Sequence, residues 1–227
     1  MTRAPNRSIA LFGGSFDPIH AGHLAVAEAA LGRFSLDQII FIPSGIPPHK
    51  QKQRLARFVD RFAMVALACA NCPQFIPSLA EAGADLQGKQ VIYSVDTVRA
   101  YLRKRRGEKP NLYFIVGADQ FLNISKWRQS IALLGMCNFI VANRPGFQLE
   151  KLRSAIPQEL LQQAEKSDVK PESGAIALQK TAVHVLESVA SDVSATEIRQ
   201  RARQGKSIRG LVPPLVEEYI EKQGLYR

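Results

Sequence analysis

The chain predicts an α/β fold: a Rossmann-like, doubly wound, mostly parallel sheet with helices on both faces and a small helical extension at the C-terminal side. Three features of the sequence carry that expectation. Short apolar runs rich in β-branched and aromatic residues recur along the chain. Amphipathic segments separate them. A glycine-rich turn stands between the first apolar run and the first helical segment. Strand, helix, strand in this alternation gives parallel neighbours whose crossover helices cover the sheet.

Taken in order, residues 8–12 read as the first strand and 38–43 (Gln-Ile-Ile-Phe-Ile-Pro) as the second. Residues 112–117 and 138–143 read as further buried strands, each ending in Gly or Asn, and 181–187 as another. Helical periodicity covers 24–33, 57–70, 94–106, 129–134 and 157–166. The tail predicts two helices, 194–204 and 213–223, joined by a Gly-containing connection. Residues 166–174 (Lys-Ser-Asp-Val-Lys-Pro-Glu-Ser-Gly) have the composition of a surface loop rather than a domain boundary. The expected organisation is one domain over 1–227, with an α/β core in 1–190 and a helical part in 191–227.

The chain has 227 residues, 46% hydrophobic and 22% charged, which suits a soluble globular protein with a sizeable core. No run of 18 apolar residues and no secretory leader is evident, so no membrane partner is expected. Cys69, Cys72 and Cys137 make an odd set with no disulfide framework. Buried free thiols in a reducing, cytoplasmic compartment are the expectation, rather than a zinc site that wants four ligands. The net charge of +10 concentrates in 99–106 and 199–209. A nucleic-acid surface is one reading of that charge. Solvated helix faces and a polyanionic small substrate are the favoured one, since no aromatic stacking platform is interleaved with the cations. A homo-oligomer is compatible with the sequence.

The turn reads Gly13-Gly14-Ser15-Phe16-Asp17-Pro18-Ile19-His20-Ala21-Gly22-His23. Its glycines let a ligand approach the backbone, and the N-terminus of the following helix favours an anion. His20 and His23 add donors able to stabilise charge on a phosphate. The plainer alternative has one histidine capping the helix and the other bonding the loop; a metal pair lacks a completing carboxylate other than Asp17. Far downstream, Val193-Ser194-Ala195-Thr196-Glu197-Ile198-Arg199 places a capping box (Ser194, Glu197) at a second helix start. Capping explains neither Thr196 nor Arg199, which suit the β- and γ-phosphates of a triphosphate.

The turn resembles the motif of the HxGH nucleotidyltransferases, and 193–199 is similar to that superfamily's second motif, which usually has Ile at 193 and Ser at 195. Pro47-Pro48-His49-Lys50, Gly117-Ala118-Asp119, Trp127, Asn143-Arg144-Pro145-Gly146 and the ending Gln223-Gly224-Leu225-Tyr226-Arg227 resemble bacterial nicotinate-nucleotide adenylyltransferases. The resemblance implies transfer of AMP from ATP to nicotinic acid mononucleotide, with Mg²⁺ carried by the ATP phosphates and no protein metal site. It implies ATP contacts from Gly13, Gly14, Ser15, Phe16, His20, His23, Ser194, Thr196 and Arg199. Of these His20, His23 and Arg199, together with Lys50, are the candidates for catalysis. It implies a mononucleotide site from Ser94, Asp119, Trp127, Arg128 and Arg144. There Trp127 stacks on the pyridine ring, and main-chain N–H groups at the 93–97 helix start and at Arg128 receive the carboxylate. Relatives often have Thr at 94 and Tyr at 128, which matters little for main-chain contacts.

Two alternatives stand beside this reading. One is an adenylyltransferase that prefers nicotinamide mononucleotide or another small phosphate such as phosphopantetheine. The other, from a different class, is a nucleic-acid-binding module on a nucleotide-binding fold.

Overall fold

Strand β1 (Ser8–Gly14) buries both of its faces. Ile9 and Leu11 point to one side, Ala10 and Phe12 to the other, as the two-residue period of a strand requires. The computed structural model describes residues 7–46, 55–83, 91–105, 110–143, 149–164, 174–187 and 193–227. Within them the other strands are β2 (Gln38–Pro43), β3 (Phe75–Pro77), β4 (Asn111–Gly117), β5 (Asn138–Asn143), β6 (Ala175–Ala177) and β7 (Ala182–Glu187). They form one sheet in the order β3-β2-β1-β4-β5-β7-β6. All neighbours pair in parallel except β6, an antiparallel edge strand on β7. The expected doubly wound α/β architecture is therefore the one observed.

The described helices are α1 (Ala21–Arg33), α2 (Phe58–Cys69), α3 (Ser94–Lys104), α4 (Ala118–Phe121), α5 (Ser130–Leu134), α6 (Leu149–Ala155), α7 (Gln158–Ala164), α8 (Ala195–Arg203) and α9 (Pro214–Gln223). Val95 and Val98 of α3, with Phe121, Leu133, Leu152 and Leu160, pack on the Ile9–Leu11 side of the sheet. Ala27, Met64, Ile198, Val216 and Ile220 pack on the Ala10–Phe12 side. So α1, α2, α8 and α9 cover one face, and α3 to α7 the other. The C-terminal helices are part of the same core as the first strand, because their apolar stripes meet Ala10, Phe12 and Ile115.

Two differences from the sequence reading concern element starts. Helix α1 begins at Ala21, not at residue 24, with His20 in extended conformation as its N-cap. Both histidines therefore sit at the helix entrance. Helix α5 is preceded by Gln129 with φ of 52°, a left-handed residue that turns the chain out of the short 3₁₀ segment Ile124–Lys126. Residues 165–173, the greater part of the expected surface loop, lie outside the described residues.

The three cysteines are free. Burial pushes the Cys69 thiol up to about 12, with Cys72 adding to the shift, and burial alone does the same to Cys137. Both are inert core groups, since a thiol must ionise to react or to bind a metal.

Candidate functional site

The strands β1, β2, β4 and β5 end side by side, and the segments that leave them open a cleft of about 1040 Å³. Such crevices beyond the carboxyl ends of parallel strands are where open α/β sheets bind ligands. Gly13, Gly14, Ser15, His20 and His23 line one part of it. Ser94, Asp119, Trp127 and Arg128 line another, and Ser194 enters from α8. Residues separated by more than 170 positions thus share one cavity. Lys50 and Arg144 lie outside the described residues. Thr196 and Arg199 are not in the wall of the cleft, and Phe16 is buried in the core.

Gly14 is set by the ring beneath it. A Cβ at Gly14 would come within 3.0 Å of the Phe16 ring, and one at Gly13 would touch Phe114 at 3.4 Å. Phe16 has φ of 45° and packs edge-on against Phe12. The Phe16 ring, 1% exposed, is the floor under this turn.

His20 and His23 stack, with ring centroids 3.7 Å apart. His23 Nδ1 accepts a hydrogen bond from the His20 backbone N–H at 3.3 Å, so the third helical residue reaches back to the N-cap as in a capping box, and when the ring is neutral its proton is on Nε2. The plainer reading of the pair is thus half realised. One histidine does cap the helix, and the same contact orients its other nitrogen as a donor. Burial lowers His20 to about 4, so that ring is neutral near pH 7. Its Nδ1 is buried without a hydrogen-bond partner among the described residues.

Ser194 caps α8, its Oγ accepting from the Glu197 N–H at 3.2 Å. The box is only half made, because the Glu197 carboxylate pairs with Arg201 at 2.9 Å. Arg199 donates from Nη1 to the Asp17 carbonyl at 2.7 Å and from Nη2 to Thr196 Oγ1 at 3.2 Å. The second motif is thereby braced against the first.

In the other half, Tyr93 is the N-cap of α3 and Ser94 its first residue. The Arg128 guanidinium lies over the Tyr93 ring, 4.8 Å from its centroid, so the segment after Trp127 is tied to the α3 start by a cation–π contact. Trp127 is half-buried and edge-on to Phe114, and its Nε1 is buried with no partner among the described residues. Asp119 leans over Gly117, where a Cβ would lie 2.8 Å from its Oδ1. A side chain at residue 117 would displace that carboxylate.

The sequence reading gave no individual role to two buried groups, Arg61 and Glu81, or to the half-buried Tyr226. Arg61 is 1% exposed and donates to the carbonyls of Ser15, Gly45 and Ala56. Glu81 lines the cleft and accepts from Thr97 Oγ1 at 2.7 Å and the Gly45 N–H at 3.2 Å. Burial raises its pKa against the opposing pull of those bonds and of Arg61. Tyr226 donates to Asp17 Oδ1 at 2.7 Å. No local pattern marks such residues, whose partners are mostly main-chain atoms or lie far away in sequence. No group of three or more His, Cys, Asp or Glu side chains among the described residues is placed to hold a metal.

Residues 11–201 match the model of the cytidylyltransferase-like family. The chain belongs to that family. It is 42% identical over 219 residues to a probable nicotinate-nucleotide adenylyltransferase of Moorella thermoacetica, an alignment covering 96% of this chain and 91% of that one. A protein of the same description from Geobacter sulfurreducens is 40% identical, with 95% and 96% of the two chains covered. Among solved structures, the chain resembles the Plasmodium falciparum nicotinic acid mononucleotide adenylyltransferase complexed with NaAD, at a TM-score of 0.71 and 18% identity over 97% of each chain. That last likeness concerns the fold. The alignments span nearly the whole chain, so the turn at 13–23, the cleft and α8 lie within the matched length.

Proposed function

We propose that this protein is a nicotinate-nucleotide adenylyltransferase, joining ATP and nicotinic acid mononucleotide to give deamido-NAD and pyrophosphate in NAD biosynthesis. One observation carries the reading. Two helix N-termini, at His20–His23 and at Ser194, open into the same cleft that Trp127 and Asp119 line. The first pair suits a triphosphate and the second a pyridine nucleotide. The full-length relatives of the same description support the choice of substrates.

In this account an oxygen of the mononucleotide phosphate attacks the α-phosphorus of ATP. The new P–O bond forms as the bond from the α-phosphorus to the bridging oxygen breaks, and that oxygen leaves with pyrophosphate. The nucleophile is already anionic, so no general base is required. Catalysis is positioning plus stabilisation of charge on phosphoryl oxygens. Neutral His20 and the Nε2 donor of His23 serve the α-phosphate, and the α1 N-terminus adds its dipole. Ser194, Thr196 and Arg199 hold the β- and γ-phosphates, and Lys50, which follows β2 in the sequence, is assigned to the phosphates with them. Arg199 reaches them by turning some of its donors from its present partners, as a guanidinium with five N–H groups can.

Trp127 offers its ring to the pyridine, and the α3 start with Ser94 and the Arg128 N–H meets the carboxylate. Asp119 holds the ribose or orients the ring, and Arg144 joins this half. Mg²⁺ fits a site of this composition as a companion of ATP, bound by phosphates and water; when bound it neutralises charge on the triphosphate. The chain works as one domain, in the cytoplasm, and no described helix is long and apolar enough to cross a membrane.

The test is a purified-enzyme assay with Mg-ATP and nicotinic acid mononucleotide, following both products. Pyrophosphate and deamido-NAD in equal amounts are expected. Salt-sensitive RNA binding with no pyrophosphate from any mononucleotide would instead favour a nucleic-acid module.

A further inference from the structure

Asp17 is 2% exposed and is the point where four distant segments meet. Tyr226 donates to its Oδ1 at 2.7 Å and the Ala56 N–H to the same atom at 3.2 Å. Arg199 holds its carbonyl at 2.7 Å and stands 3.9 Å from Oδ2, a buried oxygen that accepts no hydrogen bond among the described residues. Two residues back, Arg61 Nη1 holds the Ser15 carbonyl at 2.8 Å. The turn carrying His20 and His23 is therefore gripped from behind at two of its carbonyls.

Tyr226 reaches Asp17 by a defined path. Gly224 ends α9 in the left-handed conformation, with bonds from the Gly224 N–H to Glu221 and from the Leu225 N–H to Ile220. This is a Schellman ending, which reverses the chain. Tyr226 follows with φ of 65°. A bulky residue in that region is strained, and such strain persists only where surrounding contacts impose it. Here the ring packs against the core and the hydroxyl bonds Asp17.

We propose that Tyr226 is a positioning residue for the triphosphate half of the cleft. Its hydroxyl holds Asp17 so that the turn keeps its place and Arg199 keeps donors for phosphate. A buried carboxylate needs donors. Without the tyrosine hydroxyl, Asp17 draws closer to the guanidinium that already stands 3.9 Å from Oδ2. Arg199 is then committed to the protein and less available to ATP. Among the described residues, none of the hydrogen bonds to Asp17 comes from α3 or from 117–128.

The proposal rests on the adenylyltransferase reading, and the experiment separates the two. Steady-state kinetics are measured for the wild-type chain and for Tyr226→Phe, varying ATP and nicotinic acid mononucleotide in turn, with thermal midpoints from the same samples. Pyrophosphate affinity is measured by calorimetry. For Tyr226→Phe the KM for ATP rises on the order of tenfold, as loss of a half-buried bond to a charged group implies. Pyrophosphate binding weakens in parallel, and the mononucleotide KM stays within about twofold. A variant whose kcat or midpoint falls while both KM values hold has a purely structural tyrosine, and the proposal is overturned. Equal rises in both KM values overturn it as well. A wild-type chain that releases no pyrophosphate with any mononucleotide removes the functional reading instead.

Discussion

The rings of His20 and His23 lie 3.7 Å apart with 30° between their planes. Two imidazoles in that contact are not both charged without mutual repulsion, and burial already disfavours charge on His20. His20 therefore meets the cleft as a neutral ring near pH 7.

His20 makes stability depend on pH in a predictable window. Its folded value of about 4 lies below the usual 6.5, so between these the unfolded chain holds a proton that the folded one refuses. The contribution is complete above about pH 6.5 and is lost as pH falls toward 4, by about 3 kcal/mol in total. Denaturant midpoints of wild type and His20→Gln across that range check it. The variant should have a shallower acid limb, and parallel limbs would contradict the assignment.

His23→Ala should lower kcat on the order of 10²-fold, through loss of a preorganised donor. It also removes the acceptor for the His20 N–H. A stability loss of about 1 kcal/mol should accompany it, small enough to leave the fold intact. Folded, fully active His23→Ala would refute the role.

Gly117→Ala tests the seat of Asp119. The added methyl collides with Oδ1 at 2.8 Å, so the carboxylate must move. The expected result is a higher KM for the mononucleotide with the ATP KM unchanged. Asp119→Ala should abolish the difference between Gly and Ala at 117, as a double-mutant cycle would reveal.

Trp127→Ala should weaken mononucleotide binding and also cost stability, because the ring packs on Phe114. Trp127→Phe should restore most of the affinity. An unchanged KM in Trp127→Ala would count against stacking.

Ser194→Ala removes a cap worth about 1 kcal/mol. A midpoint shift of that size with an added rise in ATP KM marks a residue that serves both the helix and the phosphate; the midpoint shift alone marks a cap and nothing more.

Much of the molecule was legible because its strands are short apolar runs. β2 and β5 begin and end where the sequence placed them. β3 and β6, three residues each, escaped because such stretches carry no periodicity of their own and form only by pairing with β2 and β7. The α1 start was misplaced by three residues because a histidine N-cap is not a usual capping type. The cleft was foreseen from Gly13, His20, His23 and Ser194, whose residue types state their chemistry. Its braces were not. Arg61 looks like any helix cation until its three carbonyl partners converge on it, and Tyr226 finds Asp17 only through the turn at Gly224.

The central claim is that this cleft joins ATP to the acid form of a pyridine mononucleotide. The most direct measurement is kcat/KM for pyrophosphate release with nicotinic acid mononucleotide and with nicotinamide mononucleotide, at saturating Mg-ATP. The account predicts a clear preference for the acid, tenfold or more, since a donor set built for a carboxylate is left poorly paired by the amide at a cost of about 1–3 kcal/mol. Equal or greater efficiency with the amide would contradict it.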